Sequence, residues 1–65
     1  MSFYQCYLLG GAGEIRLCEQ VEGESAAAAI ALSRQILAAR PHYAGFELWQ
    51  MTRLIHDEAP MLRAG

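Results

Sequence analysis

Ser25 to Arg40, reading Ser-Ala-Ala-Ala-Ala-Ile-Ala-Leu-Ser-Arg-Gln-Ile-Leu-Ala-Ala-Arg, decides the fold. It is the only stretch long enough and rich enough in alanine to read as a helix, since alanine has the highest intrinsic helix propensity. Acidic residues between Glu22 and Ser25 suit the positive end of a helix dipole, Ser25 offers a capping hydroxyl, and Arg40 followed by Pro41 closes the element. On a helical projection Ala26, Ala29, Ile30, Leu32, Ser33, Ile36 and Leu37 share one stripe, with Ala27, Ala31, Arg34, Gln35 and Ala38 outside it. The small alanines near its start let such a helix lie close to a sheet.

That sheet is expected on both sides of the helix in sequence. Phe3 to Leu9 is aromatic and aliphatic, ends at Gly10-Gly11-Ala12-Gly13, and gives way to an alternating pattern from Glu14 to Val21, which together read as a β-hairpin. A three-residue loop with Gly13 in the left-handed conformation sets Gly10 opposite Glu14. The register that follows places Leu9 opposite Ile15, Tyr7 opposite Leu17, Cys6 opposite Cys18 and Phe3 opposite Val21. Leu9 with Ile15, Tyr7 with Leu17 and Phe3 with Val21, interrupted by Gln5 and Glu19, make the expected core face; Tyr4, Cys6, Leu8, Arg16, Cys18 and Gln20 make the other.

After a loop at Pro41 to Gly45, Phe46 to Gln50 is expected as a third strand, with Phe46 and Leu48 towards the helix and Glu47 and Trp49 away from it. A turn at Met51-Thr52 returns Arg53 to Ile55 as a short fourth strand, with Leu54 beside Trp49 and Ile55 beside Leu48. Neither turn residue favours positive φ. The expected class is α+β: an antiparallel sheet of three or four strands, ββαβ or ββαββ, in order 2-1-3 or 2-1-3-4, with the helix across one face. One domain is expected over residues 1–56, with 57–65 a frayed tail.

The layout resembles a group of small uncharacterised proteins common in alphaproteobacteria. The likeness is carried by Tyr4-Gln5-Cys6-Tyr7-Leu8-Leu9, the glycine turn, the alanine-rich helix and above all Glu47-Leu48-Trp49-Gln50 followed by Arg53. It covers about Tyr4 to His56, and Met51-Thr52 departs from the Gly-Asp type of turn in the group. The group has no assigned activity, so the resemblance transfers no functional residue.

Composition narrows the function classes. A chain of 65 residues is one domain at most, and its small core is commonly reinforced by a partner, a disulfide framework or a bound group. Two cysteines are too few for a secreted disulfide scaffold, and with no leader-like start the expected location is the cytoplasm with both thiols reduced. Charged residues make up 18% of the chain, the formal net charge is -2 and there is no lysine, so nucleic acid is not an expected partner, and because no apolar stretch approaches the roughly 20 residues that span a bilayer, neither is a membrane.

No constellation in the sequence specifies a chemistry. Cys6 and Cys18, opposite each other in the expected register, would be placed for a redox-sensitive disulfide, although two small buried hydrophobes is the preferred reading. Cys6, Cys18, His42 and His56 are a zinc inventory in number but lack the close pairing of structural ligands. The glycine run has neither the Lys-Ser/Thr nor the following helix of a phosphate loop, and Asp57-Glu58 falls in the expected tail. No cofactor or metal is expected, and no enzyme.

What stands out is the second sheet face, more than half apolar and left uncovered by a single helix. Tyr4, Cys6, Leu8, Cys18, Trp49 and Leu54 are therefore the expected interface residues of a non-catalytic interaction module, homodimeric or bound to another protein. A small-ligand-binding or redox-responsive regulator using the same face with Cys6 and Cys18 is the alternative.

Overall fold

The structure, a computed structural model, describes residues 1–60. Its elements run β1 (Ser2–Leu9), β2 (Ile15–Gly23), α1 (Ala26–Ala38), β3 (Gly45–Gln50) and β4 (Arg53–Glu58). All neighbouring strands are antiparallel, in the order β2-β1-β3-β4. The expected α+β class, helix, strand order and fourth strand are all present. β4 is longer than expected and takes in Asp57 and Glu58; of the expected tail, residues 61–65 lie outside the described residues.

Local chemistry accounts for the ends of the elements. Gly13 adopts φ 84°, Gly13 N–H donates to Gly10 O at 2.9 Å and Gly10 N–H donates to Glu14 O at 2.8 Å, the three-residue hairpin loop that the glycines foretold. Ser25 caps α1 by accepting from Ala28 N–H at 3.2 Å, and Ala39 N–H returns to Gln35 O at 3.1 Å just before Arg40 and Pro41.

One residue after the first turn, the expected register fails. Leu9 pairs with Ile15 as expected, but Leu8 pairs with Leu17, leaving Arg16 as a bulge residue with no partner of its own. From there Tyr7 faces Cys18, Cys6 faces Glu19, Tyr4 faces Val21 and Phe3 faces Glu22. Because the first turn pairs Leu9 with Ile15, the extra residue is what lets Tyr4, Cys6 and Leu8 share a face with Leu17 and Val21.

That shared face is the one α1 covers. The core is Tyr4, Cys6, Leu8, Val21, Ala29, Phe46 and Leu48, with Leu17, Ile30, Ile36, Leu37, Tyr43 and Ile55 packed around it. Gln5, which interrupted the expected core face, is thereby moved out of it, and Glu19, which stays on it, reaches Arg40 Nη1 at 2.6 Å across the end of the helix. Ala29 and Ser33 are the fully buried helix positions, and Ser33 Oγ donates to Ala29 O at 2.8 Å, so its hydroxyl is satisfied within the helix. Leu32, expected in the buried stripe, is 39% exposed.

A second bulge lies in β4. Trp49 pairs with Leu54 as expected, but Leu48 pairs with His56 and not with Ile55. Both edge strands of the sheet are thus interrupted by an extra residue. At the start of β3, Gly45 pairs with Leu9 where the chain leaving β4 passes closest; a Cβ on Gly45 would overlap the Glu58 carbonyl oxygen and the Ala59 Cα.

Candidate functional site

The reversed face of β1 redistributes the expected interface residues. Tyr4, Cys6 and Leu8 are buried beneath α1 and are unavailable to a partner, because the Arg16 bulge shifted their pairing by one. Cys18, Trp49 and Leu54 stand on the uncovered face as expected. Phe3, Gln5 and Tyr7 join them there from β1, with Gln20 and Glu22 from β2 and Glu47 and Asp57 from β3 and β4.

On this face Tyr7, Ile15, Glu47, Trp49, Met51 and Thr52 line a shallow groove of about 360 Å³. Strand alternation positions its centre: Glu47 and Trp49 are two apart on β3, and Tyr7 on β1 sits directly opposite Glu47. Trp49 Nε1–H donates to Glu47 Oε1 at 3.0 Å, fixing both the indole and the carboxylate. Around the groove Phe3 is 54% exposed, Ile15 57% and Leu54 44%.

Among the described residues the charged side chains of the face are all of one sign. Glu22, Glu47 and Asp57 occupy it, Glu47 and Asp57 being directly opposed across β3 and β4, and none of them has a cationic partner among the described residues. The arginines of the described residues are engaged or placed elsewhere. Arg16 approaches Glu14 at 3.6 Å, Arg40 holds Glu19, Arg34 holds Glu58, and Arg53 pairs with Gln50, one step out of phase with Trp49 and Leu54.

A second polar cluster lies on the helix side. Glu58 Oε1 accepts from Arg34 Nε at 2.8 Å, is bonded by Arg34 Nη2, and meets His56 Nε2 at 2.9 Å. The guanidinium first and then the histidine hold the Glu58 carboxyl down at about 2, and the same carboxylate raises Arg34. A carboxylate so committed is a clasp between α1 and β4.

The remaining candidates do not converge. Cys6 lies in the core, its thiol pushed up by burial against the opposing effect of the Ser33 hydroxyl, while Cys18 is exposed on the opposite face beside Tyr7. The expected pairing of Cys6 with Cys18 is therefore replaced by one in which the sheet separates them, which rules out a bond between them without refolding β2. His42 stands in the loop after α1 and His56 is tied to Glu58, so the zinc inventory is dispersed, and no three metal-ligating side chains gather among the described residues. Among those residues, no helix is long and apolar enough to cross a membrane.

Sequence reasoning missed Tyr7, Phe3 and Asp57 as face residues. The bulge that moved the first two has no composition signature, and Asp57 falls in the expected tail. The Glu47–Trp49 pair was legible, since residues two apart on a strand share a face. Comparison with known protein families, with curated proteins and with solved structures gave no match to this chain.

Proposed function

We propose that this chain is an interaction module without a catalytic role, and that its working surface is the uncovered face of the sheet, where a partner protein docks. The observation that carries the reading is the groove around Trp49 and Tyr7, flanked by exposed Phe3, Ile15 and Leu54 on a face that no helix or strand of the described residues covers. The face is favoured over the sheet edges, because both edge strands carry bulges, a device that discourages strand addition. The reading without catalysis rests on the commitment of His56 and Arg34 to Glu58, away from the groove. An exposed free thiol at Cys18 suits a reducing compartment, which in this reading is the cytoplasm.

A second copy of the chain is the second reading. The molecule measures 36 × 24 × 17 Å, so a face bounded by the two longer dimensions is of the order of the roughly 800 Å² per partner in a standard interface. Against it stand Glu22, Glu47 and Asp57, which self-pairing would bring towards their own copies.

Sedimentation equilibrium of the reduced protein and of Trp49→Ala, with acrylamide quenching of the single tryptophan, tests the proposal. A monomer with quenchable Trp49 supports a face open to another protein, and a dimer that Trp49→Ala dissociates supports a second copy on that face. A dimer unaffected by both Trp49→Ala and Leu54→Ala would overturn the choice of face, as would a monomer whose Trp49 is shielded from acrylamide.

A further inference from the structure

The groove has a chemistry narrower than apolar contact, and it deepens the docking reading on which it rests. An indole and a phenol ring line it together with a carboxylate, Glu47, that accepts the Trp49 N–H through Oε1 and, among the described residues, makes no hydrogen bond through Oε2. Beside that carboxylate, across the β3–β4 ladder, stands Asp57. Two like charges directly opposed in a sheet repel each other, and among the described residues no cation on this face offsets them. The sequence has no lysine, and the arginines of the described residues are bridged to Glu14, Glu58 and Glu19 or, for Arg53, set out of phase with the face. Aromatic faces attract cations through their quadrupoles, and a planar guanidinium both stacks on an indole and donates in a fork to carboxylate oxygens.

We infer that the groove between Tyr7, Glu47 and Trp49 receives an arginine side chain of a partner protein, its guanidinium stacked on the Trp49 ring and held by Glu47 and Asp57. The apolar stem of that side chain lies along Tyr7 and Ile15. Charge complementarity selects this occupant over a second copy, whose own uncovered face, among the described residues, brings the carboxylates Glu22, Glu47 and Asp57. The hydrogen bond from Trp49 to Glu47 is the orienting element: it sets the carboxylate beside the ring, where one cation can use both.

The test follows the single tryptophan's indole N–H resonance by NMR while the full chain is titrated with N-acetyl-arginine amide. N-acetyl-leucine amide is the apolar control and sodium chloride the ionic-strength control. The expected result is a saturable shift with the arginine probe, at a dissociation constant about fivefold below that of the leucine probe. Glu47→Gln or Asp57→Asn should each weaken the arginine probe by about twofold to fivefold and leave the leucine probe unchanged. Asp57→Asn serves as the second variant because Asp57 is exposed and takes no part in the core.

Equal binding of the two probes would overturn the inference while leaving the face as an apolar docking surface. No saturable shift with the arginine probe, or a shift untouched by both substitutions, would also overturn it. The docking reading falls separately, on the sedimentation and quenching of the native chain and Trp49→Ala.

Discussion

Arg34 on α1 donates from Nε to Glu58 Oε1 at 2.8 Å and so joins the helix to the last strand of the sheet. The clasp makes stability depend on pH in a defined window. The Glu58 carboxyl is lowered from an ordinary 4.5 to about 2 in the folded chain, first by Arg34 and then by His56. A depressed folded-state value favours folding fully above the unfolded value, and that contribution is lost as pH falls from about 4.5 towards 2. Glu58→Gln should therefore lower the urea midpoint at neutral pH. Its difference from the native chain should shrink across that window and vanish at its acid end, as denaturation at a series of pH values will show.

Met51 holds φ 56° at the first position of the two-residue turn between β3 and β4, while Thr52 does not share the positive sign. That pattern is the one in which glycine ordinarily occupies the first position. Met51 is 86% exposed, so its side chain contributes little packing to offset the backbone cost. Met51→Gly should stabilise the chain by about 1 kcal/mol, read as a higher thermal midpoint, and Met51→Val should lower it.

Gly45 has the opposite requirement. Its backbone is not left-handed, but the chain after β4 passes where a Cβ would sit. Gly45→Ala must push β3 away from Glu58 and Ala59, at a cost of about 1–3 kcal/mol in urea denaturation.

The two thiols should react at very different rates. Cys18 is exposed, whereas Cys6 is fully buried and its thiol is raised by that burial. Mass measurement after brief alkylation should find one modified cysteine in the native chain and two in denaturant. Mild oxidation should not produce an intramolecular disulfide, since the cysteines lie on opposite faces.

The elements of this fold were legible because each is set by local chemistry: alanine and a serine cap for α1, Gly13 for the first loop, alternation for β3. The side of β1 that faces the helix was not. Both sides of β1 are apolar, Phe3 and Tyr7 on one and Tyr4, Cys6 and Leu8 on the other, so pattern alone could not separate them. The choice was made by Arg16, whose bulge aligned the second set with Leu17 and Val21. Cys6 further suits the helix side because it is small enough to lie in the core with Ala29. The groove was half legible: Glu47, Trp49 and Leu54 followed from alternation and the second turn, whereas Tyr7 waited on the register and Asp57 on the true length of β4.

Arg16 is also the one residue of β2 that the ladder does not use. A chain lacking it could keep every pairing from Leu8 with Leu17 to Ser2 with Gly23 and surrender only the local twist. Loss of Leu17 or Val21 in the same strand would instead remove a core side chain. Tolerance to single-residue deletion in β2 should therefore peak at position 16, and versions of this chain that differ in length within the strand would be expected to differ there.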